Sequence, residues 1–330
     1  MDLLRQENKS NYWIKTMDTI NSPEKTANAF RSLIDKDNVH LLLGTFSAEN
    51  AQIGKHIAQI RGVPFITNAY DAELINESPS SYTAVLRQNP MQLGQLTALY
   101  FFYMMKKNRL AVISDVALIP STQCALGFLG EGRLIGATMI EETYSSFERP
   151  ADWQVSWSRL ERAEPEVVFI AGDPSHYRDM LKIAREVLQI ASIIVFQHMP
   201  MKEDLENHRE LFDQTFVMLS FYSEKEEFVQ SQFYQSYVKR FNEKPGFFSA
   251  QGHDEIMFLD EVMRSREHLP LNERFLNLEG YLAEQERYLT GFRGFLQDGY
   301  SFHSMDVLKI ETESVEFLGS FWMEILSTGS

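Results

Sequence analysis

The sequence predicts an α/β protein built as two doubly wound, parallel-sheet lobes joined by a hinge of several strands. Three observations carry that prediction. Short apolar runs alternate with segments of helical periodicity along most of the chain. The runs number roughly ten, too many for one tidy sheet. The length of 330 residues suits two cores better than one.

The elements follow in order. Asn11 to Met17 reads as a strand, and Ser22 then offers a helix N-cap with Pro23 at the first helical position. The helix runs to about Asp35, with Ala27, Phe30, Leu33 and Ile34 as its apolar stripe. Val39 to Leu43, apolar apart from His40, reads as a strand buried on both faces, and Ser47 caps the next helix, to about Arg61. Strands at Pro64–Thr67 and Tyr82–Leu86 and a long helix at Met91–Lys106 come next. The alternation resumes with strands at Arg109–Ser114, Thr138–Glu142, Glu166–Ala171, Ile193–Gln197 and Phe216–Ser220; the best helices between them are Trp153–Arg162 and Ser175–Leu188. The last third changes character. Helices at Glu226–Phe241, Ser249–Arg264 and Leu271–Gln285 precede short strands at Gly294–Leu296, Met305–Glu311 and Val315–Gly319, with a turn at Gln297-Asp298-Gly299. No Pro/Ser-rich linker separates lobes, so strands crossing directly form the hinge.

Composition narrows the function. The chain holds 31 basic against 46 acidic residues, a net charge of -15, which argues against a nucleic-acid backbone or an anionic membrane as partner. No apolar window of about 18 residues exists to span a membrane. The single cysteine, Cys124, excludes an internal disulfide and a cysteine-rich metal site. No GxGxxG, P-loop, GxSxG, HExxH or Cys/His cluster is present, so the expectation is a protein without cofactor or metal and without catalysis. Met1 to Ser10 is polar and lacks the apolar core of a leader peptide.

The order of elements resembles the type 1 periplasmic binding proteins, the branched-chain amino acid and amide-binding family of ABC transporters, which includes receptor ligand-binding regions. Asp18 with Ser22-Pro23-Glu24-Lys25-Thr26-Ala27 is similar to the family's aspartate and "dP..A" helix, and Val39 to Ser47 to its "V..iiG..sS" segment. Gly62 to Thr67 with Glu73-Leu74, Ala111-Val112-Ile113 with Asp115, Asp152-Trp153, and Glu166 to Gly172 follow in the family's order. So do Phe233, Tyr237, Phe241 and Pro245, then Gly252-His253-Asp254, then Gly291 to Gly294 and Gly299. The resemblance implies three crossings between lobes: residues 1–87 with 221–292 form lobe one, and 88–220 with 293–330 lobe two. It also implies a strand and helix ahead of Asn11, of which only Leu3 to Gln6 remain. Either the start is cut or misplaced, leaving lobe one without its first strand, or the sheet closes in another way. A leader removed upstream would place the protein in the periplasm or outside the cytoplasm; Met1 as true start would keep it cytoplasmic.

Ligands of open α/β sheets bind beyond the carboxyl ends of strands, which points to the loops after Leu43, Thr67, Ser114, Ala171 and Gln197. The resemblance selects the same loops. It makes Ser47, beside Phe46, a donor to a ligand carboxylate at a helix N-terminus; the plain alternative is an N-cap, and one serine can do both. Asn68, Ala69 and Tyr70 fall in the loop that completes the pocket. In lobe two the pattern departs: Ile119 stands where the family has a tyrosine, and His198 near its ammonium-binding acid. Asp173 can supply a negative charge there or simply cap a helix. The aromatic set Phe233, Tyr234, Tyr237 and Phe241 reads as core, and His253-Asp254 as structural, since neighbours on a helix point apart. The expected function is capture of a small polar ligand, an amino acid, amide or small carboxylate, in a cleft between lobes for a membrane permease. The alternative is a sensor domain of the same fold that controls a partner protein.

Overall fold

The computed structural model describes residues 13–69, 82–188, 192–284, 287–296 and 300–323. In chain order the first elements are α1 (Pro23–Asp35), β1 (Leu42–Leu43), α2 (Ala48–Arg61), β2 (Phe65–Thr67), β3 (Thr83–Val85) and α3 (Pro90–Leu99), which continues into a π-helical turn at Tyr100–Met104. Then come β4 (Arg109–Asp115), α4 (Ile119–Leu134), β5 (Thr138–Tyr144), α5 (Gln154–Ala163), β6 (Val167–Ala171), α6 (Tyr177–Val187), β7 (Ile193–Phe196), α7 (Lys202–Asn207) and β8 (Thr215–Leu219). The chain closes with α8 (Glu226–Val229), α9 (Gln232–Phe241), α10 (Phe247–Ser265), β9 (Phe292–Phe295), β10 (Ser301–His303), β11 (Met305–Ile310) and β12 (Val315–Phe321).

Two compact units share these elements, and the chain passes between them after Asn89, Tyr222 and His303. The last passage falls about a strand pair later than the 292/293 boundary expected from the sequence, because β9 pairs antiparallel with β10 and both stay in the first unit.

The first unit holds a parallel sheet of order β1-β2-β3 and the β9-β10 pair. Its helices form as their sequence dictates. Ser22 accepts from the Lys25 amide to cap α1, and Phe30 and Leu33 bury the stripe that the helical spacing set. One side of the sheet packs Phe30, Leu33, Leu42, Ile57 and Phe65. A second cluster gathers Ile66, Leu86, Phe258, Val262, Phe292 and Phe295 beneath α10. The Asp254 carboxylate on α10 accepts from the backbone amides of Leu289 and Thr290 and from the Thr290 hydroxyl, at 2.7–2.9 Å, and so ties down the segment before β9. Its neighbour His253 bonds to it at 3.1 Å, so the two side chains meet rather than point apart as their adjacent helix positions suggested.

The second unit is a seven-stranded sheet of order β12-β11-β8-β7-β6-β4-β5. Its five strands from β8 to β5 are parallel, and β11 runs antiparallel to both β8 and β12. Strands β4, β6 and β7 are buried on both faces, which explains their unbroken Val/Ile/Phe runs. One face covers Trp153, Trp157, Tyr177 and Phe196, the other Phe101, Phe128, Phe169 and Met218. Full burial of each such side chain contributes roughly 2–3 kcal/mol.

Four expectations need correction. Residues 13–17 are not a strand, and Trp13 is 95% exposed. Short β1 bonds only toward β2, through Leu42 N to Pro64 O and Gly44 N to Ile66 O; among the described residues its far edge has no strand for Trp13–Met17 to join. The helix expected over Leu271–Gln285 shrinks to a single 3-10 turn at Leu271–Glu273, where Pro270 precedes and the Arg266 and Arg274 guanidinium groups take up backbone carbonyls instead. The long helix at Met91–Lys106 loses its α geometry at Tyr100. On α9 only Tyr234 is fully buried; Phe233, packed on the Phe228 and His253 rings, and Tyr237 are half-buried, and Phe241 is exposed. The turn expected at Gln297-Asp298-Gly299 lies outside the described residues.

Candidate functional site

In the first unit the candidate site grows from the loop that leaves β1. Gly44, at φ +119°, turns the chain out of the sheet, a conformation that side-chain-bearing residues rarely adopt. Thr45 then becomes a knot: its carbonyl accepts from the Thr67 hydroxyl at 3.0 Å and the Asn68 amide at 3.3 Å, so the loops after β1 and β2 are stitched together. The Thr45 hydroxyl donates to the Ser47 carbonyl at 3.4 Å. Ser47 caps α2, its hydroxyl accepting from the Asn50 amide at 3.4 Å. Asn50 in turn donates from Nδ2 to Asn21 Oδ1 at 2.8 Å, which fixes the turn before α1 against the start of α2.

These segments border an open recess of about 560 Å³ lined by Met17, Thr19, Asn21, Phe30, Leu43 and the run Gly44–Ser47 with Asn50. Its place, beyond the carboxyl end of β1 and at the N-terminus of α2, is where open α/β sheets hold ligands. Phe46, half exposed, meets the exposed Phe248 ring edge-to-face at 5.1 Å.

The predicted residues divide accordingly. Ser47 and Phe46 line the recess. Asn68 and Ala69 are each 1% exposed and serve the loop's framework: Asn68 Oδ1 accepts from Gln251 at 2.8 Å, and the Ala69 amide donates to Thr67 Oγ1. Tyr70 lies outside the described residues. Sequence reasoning missed Thr45, Asn21 and Asn50. Ser47 was legible as an N-cap, but the reach of the Asn50 side chain to a turn 29 residues earlier was not.

In the second unit the strand order reverses between β5 and β6 on either side of β4, so the loops after β4 and β6 flank a topological switch point. Asp115, fully buried there, accepts from the Ala117 and Ser146 amides at 3.0 and 3.1 Å. Tyr144, beside it in register, has its hydroxyl pushed up by burial and then by the Asp115 and Asp173 charges. Asp173 takes the capping role: Oδ1 accepts from the Ser175 amide at 2.8 Å, and bonds to Ser175 hold its carboxyl below the usual range. Ile119 opens α4 and is 73% exposed. His198 follows β7 and is half-buried.

A second recess of about 650 Å³ lies in the first unit beside Tyr82, at the other end of β3. Arg266 dominates it, but the guanidinium already donates to the Arg274, Leu276 and Asn277 carbonyls.

Two units of α/β architecture, one with an open recess at the carboxyl end of its first strand, define a type 1 binding-protein fold. The chain belongs to the Periplasmic binding protein family, whose profile matches residues 13–269. Membership carries the family's solute-binding, non-enzymatic class. Solved structures agree on the fold. A branched-chain amino acid ABC transporter periplasmic ligand-binding protein from Burkholderia xenovorans superposes with a TM-score of 0.77 at 11% identity, over 97% of this chain and 88% of that one. An ABC transporter substrate-binding protein from Desulfitobacterium hafniense in complex with Leu gives 0.70 at 14%, over 96% and 93%. An ABC transporter solute-binding protein from R. palustris in complex with benzoate gives 0.63 at 14%, over 98% and 91%. No curated protein matches the sequence significantly. Among the described residues no helix is long and apolar enough to cross a membrane.

Proposed function

We propose that this chain captures a small polar solute bearing a carboxylate or amide and presents it to an ABC transporter permease, outside the cytoplasm. The observation that carries this reading is the open recess at the carboxyl end of β1, bordered by Thr45, Phe46, Ser47 and Asn50 at the N-terminus of α2. First-turn amides of a helix lack intrahelical acceptors and favour an incoming oxygen. The transporter role draws support from the family and from the names of the structural neighbours, which bind leucine or benzoate.

A thermal-shift screen over small carboxylates, amides, ureas and amino acids tests the proposal, since a ligand that binds only the folded state raises the melting temperature. The best hit should lose roughly 1–3 kcal/mol of binding with Ser47→Ala. No hit across the screen, or a hit indifferent to Ser47→Ala, contradicts the reading. A second reading, a sensor domain acting on a partner protein, is favoured by Ile119 and His198 standing where the family has a tyrosine and an acid. Ligand-stimulated ATP hydrolysis by a reconstituted transporter supports delivery; its absence beside a ligand-dependent partner complex supports sensing.

A further inference from the structure

The recess beside Tyr82 lies at the amino end of the β1-β2-β3 sheet, the opposite end from the proposed solute recess. It measures about 650 Å³ and is lined by Tyr82, Arg266, His268, Glu273 and Asn277 with two leucines. Solute capture makes no use of it. Its walls come from the irregular stretch after α10, which two arginines hold together. Arg274 donates to the Met263, Glu267 and Leu269 carbonyls, and Arg266 to those of Arg274, Leu276 and Asn277. Carbonyl oxygens carry only partial charge. Among the described residues neither guanidinium pairs with a carboxylate. Two full positive charges therefore occupy one stretch without an acid partner, on a chain whose net charge is -15.

The second observation is the unused hydrogen-bonding capacity of Arg266. A guanidinium has five N–H bonds. Nη1 donates to two carbonyls and Nη2 to one, which leaves Nε and one Nη2 hydrogen without a protein partner. Nε is open to solvent rather than sealed. The group rests over the Tyr281 ring at 5.8 Å, which helps to fix its plane. A planar, pre-positioned guanidinium with two N–H bonds to give suits an acceptor that presents two oxygens. His268 and Asn277 are exposed beside it and bring further donors. Glu273 opposes this: its exposed carboxylate lines the same recess and pairs with neither arginine.

We propose that this recess is a second ligand site, where Arg266 takes an oxyanion, the phosphate or carboxylate group of a small molecule. The anion accepts from the two unused N–H bonds of Arg266, with His268 and Asn277 at its side.

Calorimetric titration of the whole chain with inorganic phosphate and with acetate tests this, with chloride as the control. At least one oxyanion should bind, and chloride at least tenfold more weakly; the tighter oxyanion identifies the head group. Glu273→Gln removes the opposing charge from an exposed turn and should tighten binding about threefold, as a solvent-screened charge allows. His268→Glu should weaken it by about as much. Arg266→Lys keeps the charge but loses the fork and should weaken binding at least tenfold. Should that variant fail to fold, the two rim variants carry the test. Hydrogen–deuterium exchange with the bound anion should show new protection within residues 266–277. Binding of neither oxyanion, chloride binding as tightly, an unchanged or lower affinity in Glu273→Gln, or protection that omits 266–277 each overturns the proposal. The solute reading is decided separately, by the screen described above.

Discussion

Substituting Gly127 by alanine should destabilise the second unit, although alanine is the better helix former. Helices α3 and α4 pack with their backbones touching, and two glycines make this possible. A Cβ at Gly127 would sit 2.7 Å from the carbonyl carbon of Met91 and closer still to its oxygen. A Cβ at Gly94, facing it, would lie 2.8 Å from the Phe128 nitrogen and against the Cys124 carbonyl. These are backbone atoms, which cannot swing away as a side-chain tip does. Overpacking of that kind costs about 1–3 kcal/mol or more, against a helix-propensity gain of at most about 1 kcal/mol, so the net effect is a loss of roughly 1–2 kcal/mol. Gly130, one turn further along the same helix, supplies the control: nothing lies within 4 Å of its Cβ position. There alanine should stabilise by about 0.5–1 kcal/mol. Urea denaturation followed by circular dichroism compares the two variants with the parent. Opposite shifts of the midpoint support the close-packed helix pair. A Gly127→Ala variant as stable as Gly130→Ala would refute it.

Three further outcomes follow from the buried polar groups. His303 is fully buried and its pKa is lowered to about 4, first by desolvation, so the unfolded chain takes up a proton below about pH 6.5 that the folded chain refuses until about 4. Stability should therefore fall as pH drops through that window, and His303→Gln should flatten this part of the melting-temperature profile. The Glu255 carboxyl is raised to about 7 by burial and then by Asp254, so its penalty appears as pH rises from about 4.5 to 7. Glu255→Gln should raise the melting temperature at pH 8 and leave it nearly unchanged at pH 4; the reverse pattern would sink the assignment. Asp254→Ala strands the Leu289 and Thr290 amides and should destabilise by about 2–4 kcal/mol in the same urea assay, whereas a change under 0.5 kcal/mol would show that the segment before β9 does not depend on it.

The sequence made the second unit legible because β4, β6 and β7 bury both faces and so announce themselves as unbroken apolar runs. Helix starts were equally plain, since Ser22 and Ser47 cap where their spacing says they should. Trp13–Met17 misled because its pattern satisfies a strand while strand formation also needs a partner, which period alone does not reveal. Leu271–Gln285 misled in the other direction: Arg266, reaching forward to the Leu276 carbonyl, and Arg274, reaching back to that of Glu267, stabilise an irregular path that helical periodicity cannot see. At the site, the capping serine was readable from local spacing. The Thr45 knot and the Asn21–Asn50 bond were not, because each joins residues more than 20 positions apart. Asn68 was singled out for its loop, yet it lies beneath the surface holding Gln251.

Hydrogen–deuterium exchange on the whole chain, with and without a saturating solute, is the most direct test of the site. New protection should concentrate in peptides spanning residues 44–51 and 17–22, the two turns that border the recess. Protection confined to residues 266–277, around the Arg266 recess, would place the solute elsewhere and contradict the account.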